Sequence, residues 1–156
     1  MSSSSRRMTA AELCTRTVIV TSPDAPLAQA ARAMREQHVG CLVVVRETDE
    51  GRQVLGVLTD RDIVTTVMAR EADAAKLRVE DVMISDVVCV DESDSLHDVL
   101  AIMRRHRVRR LPVVGPQRRL VGMIAADDVL RALTEELLTL TEVLSEQIKA
   151  ERVLRP

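Results

Sequence analysis

The residues best suited to chemistry in this chain form one short run, Gly56-Val57-Leu58-Thr59-Asp60-Arg61-Asp62. The apolar residues before Thr59 read as a strand, and those after it as the first turn of a helix. Two uses of that geometry are open. Thr59 followed three residues later by Asp62 matches a capping box, in which each side chain satisfies the other residue's backbone N–H. The same helix N-terminus presents unpaired N–H groups and a positive dipole end, which suit a phosphate. In that use the Thr59 hydroxyl contacts the phosphate, and the Asp62 carboxylate accepts hydrogen bonds from a ribose diol.

Other chemistry finds little support. No nucleophile–base pair, glycine-rich phosphate loop or metal-ligand cluster is visible, so no enzyme is expected. Cys14, Cys41 and Cys89 lie far apart without metal-ligand spacing. They read as reduced, buried thiols of a cytoplasmic protein, with a redox or metal sensor using Cys41 and Cys89 as an alternative. His38, His97 and His106 read as solvated side chains on helices. Arg104, Arg105, Arg107, Arg109 and Arg110 form a basic knot within a chain of net charge −2. The chain has no Phe, Tyr or Trp, which removes the stacking platforms of single-strand recognition, and no nucleic-acid partner is expected. No apolar run approaches the ~18 residues of a membrane span.

The elements that must hold the run at 56–62 occur twice. Leu13 to Val20 lines up with Met83 to Val90. Leu27, Met34 and 42–45 line up with Leu96, Met103 and 111–114, and 55–64 lines up with 121–130. Each unit reads strand, helix, strand, strand, helix. In the first unit the strands fall at 17–21, 41–46 and 54–58, a polar loop covers 47–52, and Leu27, Ala30, Ala31 and Met34 recur at helical spacing. The continuous apolar strand at 41–46 is expected to be covered on both faces. With 46% apolar residues in a chain of 156, two such halves can bury a shared core. The fold class is therefore α/β (of α+β type), in two pseudo-symmetric β-α-β-β-α units. The divisions read as a flexible leader at 1–8, a first unit at 9–68, a helical connector at 69–78, a second unit at 79–133 and a helical extension at 134–156.

The repeat length, the order of elements, the Gly-x-x-Thr-x-x-Asp run, Asp81-Val82-Met83 and Val108-Arg109-Arg110-Leu111-Pro112-Val113-Val114 together resemble a tandem pair of cystathionine-β-synthase (CBS) domains, a Bateman module. The resemblance covers residues 9 to 133. It implies a regulatory module that needs no cofactor and binds an adenine nucleotide (AMP, ADP or ATP, or S-adenosylmethionine) in the clefts between the units. Carried over by position, the first site uses Thr59 on phosphate, Asp62 on ribose and Arg110, with Arg109, on phosphates, while Ala25 and Ala30 leave room for ribose and base. The second site keeps Asp128 but has Ala125 in place of the threonine and Gly40 and Cys41 in place of the arginines. Adjacent Asp127 makes it less welcoming to an anion.

The last pattern is one long helix from 126 to 153, with Leu133, Leu137, Leu140, Leu144, Ile148 and Glu151 on an approximate stripe and Leu130 one turn earlier. A stripe of that length is too large to leave in water on a monomer, and the resemblance also implies paired modules, so a homodimer is expected. Nucleotide occupancy would then pass to an unidentified protein target. The contrasting reading is a nucleotide-independent scaffold acting through that helix.

Overall fold

The computed structural model describes residues 8–154, so nearly all of the leader lies outside the described residues. Each unit builds a three-stranded sheet. In the first, β1 (Val20–Thr21) runs parallel to β2 (Cys41–Thr48), which pairs antiparallel with β3 (Gly51–Thr59). In the second, β4 (Val90–Asp91), β5 (Arg110–Val114) and β6 (Leu120–Ala125) repeat that order. Helices α2 (Leu27–Gln37) and α4 (Leu96–His106) cross over between the parallel strands. A short α1 (Ala10–Leu13) precedes the first unit. The helix after β3, α3 (Asp60–Ile63), continues into a π-turn at Val64–Met68, whereas its counterpart α5 runs from Ala126 to Leu154.

The all-apolar stretch of β2 explains the layering. Leu42 and Val44 pack with Leu27, Ala30 and Met34 of α2 in one buried cluster. Val43 and Val45 face the other way, into a central cluster with Val54, Val87, Cys89, Val114, Leu120 and Met123. Alternate residues thus serve the helix layer and the seam between the units, and all four are buried.

The units also exchange their leading segments. Residues 8–11 bond to the second unit, with the Ala10 N–H donating to the Asp94 carbonyl at 2.8 Å and the Thr15 N–H to the Met123 carbonyl at 2.9 Å. Residues 77–84 bond to the first, with the Val79 N–H donating to the Ala25 carbonyl at 3.0 Å and the Ile84 N–H to the Val57 carbonyl at 2.8 Å. Close approach at these crossings requires glycine. A Cβ on Gly56 would sit 2.3 Å from the Ile84 carbonyl oxygen, and one on Gly122 2.7 Å from that of Thr15. Arg118 adds a clasp, donating to the Val54 and Val87 carbonyls at 3.3 Å each.

Two local expectations need correction. The loop at 47–52 is a tight hairpin, because β2 and β3 extend to Thr48 and Gly51 and Arg52 pairs with Glu47 at 3.0 Å. The connector at 69–78 holds only a 3-10 turn at Ala74–Lys76, because its end is drawn into extended pairing beside Pro26.

Candidate functional site

The first site starts from the end of a strand ladder. Thr59 is the last residue of β3, stands opposite Cys41, and caps α3 with extended backbone angles. Its hydroxyl accepts the Asp62 N–H at 3.2 Å and donates to Asp62 Oδ2 at 2.6 Å, while the Thr59 N–H donates to the same oxygen at 2.9 Å. The capping box is therefore complete. Both residues are half-buried and both face a cleft, so the cap and the candidate binding group are the same atoms.

That cleft has a volume of about 690 Å³, within the range of small-ligand sites. The first unit contributes Gly40, Cys41, Thr59 and Asp62, and the second contributes Arg109, Arg110, Ala125 and Asp127. One continuous space thus joins what the sequence divides into two sites. Arg110 opens β5 opposite Ala125, as Cys41 opens β2 opposite Thr59. Burial raises the pKa of the Cys41 thiol, the nearby Arg110 guanidinium opposes that rise, and Asp62 and Asp60 add to it. Cys41 thus lies within electrostatic reach of a cation from one unit and carboxylates from the other.

Other expected residues are placed differently. Arg109 pairs with Asp127 at 3.5 Å, an exposed contact worth little in water. Asp128 does not line the cleft; it accepts the Ala125 N–H at 3.3 Å and meets Arg131 at 3.6 Å, so it caps α5 without a hydroxyl partner. Ala30 is buried under β2 and Ala25 packs against the same cluster, so neither lines the cleft. Their small side chains bring α2 and the exchanged segment close to the sheet. A Cβ on Gly40 would lie 2.9 Å from Asp60 Oδ2, the far end of an exposed side chain that can turn away.

The sequence reading missed part of the wall. Ile84, Asp86, Val87 and Val88 line the cleft because the exchanged segment crosses the first unit's sheet, and His106 and Arg107 join them from the end of α4. Arg107 belongs to the basic knot, and its left-handed backbone (φ 55°) at the helix end turns the chain back into β5. Among the described residues no group of three or more His, Cys, Asp and Glu could hold a metal ion. Nor is any described helix long and apolar enough to cross a membrane.

Residues 10–69 and 79–135 each match the CBS domain. The chain belongs to the CBS domain family. Hypoxic response protein 1 of Mycobacterium tuberculosis is 35% identical over 109 residues, covering 70% of this chain and 73% of that protein. The crystal structure of hypoxic response protein I, with two coordinated zinc ions, superposes with a TM-score of 0.71 over 80% of this chain and 98% of that one. The hexameric CBS-CP12 protein from bloom-forming cyanobacteria is 28% identical, with a TM-score of 0.68 over 80% of this chain and 67% of that one. The CBS pair of protein MJ0100, in complex with 5'-methylthioadenosine and S-adenosyl-L-methionine, shares the fold at 21% identity, with a TM-score of 0.69 over 83% of this chain and 98% of that one. The two halves are therefore a tandem CBS pair, a regulatory module in type.

Proposed function

We propose that this CBS pair senses an adenosine phosphate and signals its presence to a protein target. One observation carries the reading: Thr59 and Asp62 of the first unit and Arg110 of the second line a single cleft of about 690 Å³. On binding, the Thr59 hydroxyl turns its proton from Asp62 to a phosphate oxygen. Asp62 is then free to accept hydrogen bonds from the ribose diol, and Arg110 supplies the charge-assisted contact across the seam. Among the described residues no carboxylate lies within ion-pair distance of Arg110, so no internal partner has to be displaced. The adenine rests between aliphatic side chains and backbone, since the chain has no aromatic residue.

The test is a thermal-shift and calorimetric screen across AMP, ADP, ATP, NAD and S-adenosylmethionine. A ligand that binds only the folded state, present at a hundred times its Kd, adds about 2.7 kcal/mol of stability and raises the melting temperature accordingly. If none of the five shifts the transition at millimolar concentration, the nucleotide reading fails and the scaffold reading takes its place.

A further inference from the structure

We propose that α5 pairs with the α5 of a second copy of this chain, as a parallel two-stranded coiled coil along Leu130, Leu133, Leu137, Leu140 and Leu144. These leucines alternate by three and four residues, the a and d positions of a heptad. All five are exposed, Leu137 at 64%, Leu140 at 55% and Leu144 at 52%. The helix continues to Leu154, past the end of the CBS match at residue 135, so about 28 Å of it projects beyond the family's own unit.

The placement of charge selects the partner. In the register set by Leu130, Arg131, Glu135, Glu142, Glu146 and Lys149 fall on outer positions, so from Leu130 to Leu144 the seam carries no charge for an unlike helix to read. Gln147 and Glu151 take the next two core positions and end the apolar seam. The flank selects the direction. Val143 and Ile148, both half-exposed, hold g and e positions, which face each other between two parallel copies in register. Antiparallel pairing sets g against g and e against e; in the register that pairs Leu137 with Leu140 and Leu133 with Leu144 it puts Val143 beside Glu136 and takes Ile148 past the leucines. Glu136, the charged residue that flanks the leucines, meets Thr141 of the second copy in the parallel arrangement; the one like-charge meeting in the core, Glu151 with Glu151, falls a full heptad past Leu144, outside the proposed seam.

The body continues the seam. Leu133 shares a groove with Met8, Leu96 and Leu100, and Leu100 is 40% exposed. Parallel helices bring these two grooves together; antiparallel ones hold them at opposite ends. At its other end α5 starts in the cleft wall, where the Ala126 N–H donates to the Arg109 carbonyl at 2.8 Å and Asp127 lines the space. One helix thus runs from the cleft to the contact between copies. This pairing does not depend on what the cleft binds.

Sedimentation of the full chain at micromolar concentration tests the pairing: a dimer is expected, and a monomer overturns it. Leu137→Glu with Leu144→Glu should weaken dimerisation by at least about a hundred-fold, and a dimer that survives both changes overturns the seam. Direction is read by mild oxidation in a background with Cys14→Ala, Cys41→Ala and Cys89→Ala, which also guards against a misfolded glutamate variant. Leu144→Cys should then cross-link to itself. Cross-linking only in a mixture of Leu133→Cys and Leu144→Cys chains would show antiparallel helices and overturn the parallel arrangement.

Discussion

Cys41 and Arg110 hold equivalent positions, each opening the central strand of its unit, Cys41 opposite Thr59 and Arg110 opposite Ala125. The cation and the hydroxyl therefore come from different units and line one cleft, the hydroxyl paired across its own ladder with a thiol and the cation with a methyl group. Phosphate recognition should follow this asymmetry. Arg110→Ala should weaken nucleotide binding, whereas Asp128→Ala, outside the lining, should change it little. Titration calorimetry decides, and two equal sites in the wild type would contradict the expectation.

Asp62 has two roles that can be separated. Asp62→Ala removes the acceptor for the Thr59 N–H and hydroxyl, which should cost about 1 kcal/mol of stability as a lost helix cap. The same change should cost roughly 1.5–3 kcal/mol in nucleotide affinity, as the loss of hydrogen bonds to a charged group. A denaturant midpoint reports the first loss and calorimetry the second. If the midpoint moves and the affinity does not, Asp62 is a cap alone.

Much of this was legible in the sequence, and the exceptions have physical causes. The helix at Leu27, the cap at Thr59 and the doubly covered strand through Val43 and Val44 all follow from local pattern, because each residue's neighbours in sequence set its role. The ends of β2 and β3 were hidden: Glu47 and Arg52 lie on a ribbon wet on both faces, where no apolar alternation marks a strand. The connector's alanines favour helix, but the Leu27 N–H takes the Leu77 carbonyl at 3.0 Å and tertiary pairing prevails. Asp86 could not be assigned to the cleft, because its place depends on an exchange between units that no local pattern encodes.

The thiols give a pH dependence. Burial raises the pKa of Cys14, Cys41 and Cys89 above the ordinary thiol range. The unfolded chain loses these protons near pH ~8.5, and the folded chain at higher pH. Below that value both states keep their protons and the thiols leave stability unchanged with pH. Above it the unfolded state ionises first, so stability falls as pH rises towards the folded values. Thermal unfolding from pH 7 to 10 should show a decline above about pH 8.5, shallower when the three cysteines are alanine. An equal decline in both proteins would assign it to other groups.

The last prediction concerns the exchange that makes the two units one body. Gly56 lies under the backbone of the crossing segment, where a Cβ would sit 2.3 Å from the Ile84 carbonyl oxygen. Gly56 is not marked by a positive φ, so its requirement is space and not backbone conformation. Backbone cannot give way as a flexible side chain does. Gly56→Ala must therefore push residues 84–85 off β3, straining the paired bonds between Val57 and Ile84 at 2.8 and 3.1 Å. A loss of about 1–3 kcal/mol is expected from overpacking alone. At Gly51, whose Cβ would meet only the flexible Arg119 side chain at 3.3 Å, the positive φ makes alanine costly through backbone strain instead. The two variants should differ in hydrogen exchange: Gly56→Ala should expose the Val57 and Ile84 amides to solvent, and Gly51→Ala should not. Unchanged protection of those amides in Gly56→Ala would mean that the crossing has slack, and that the glycine is not what permits it.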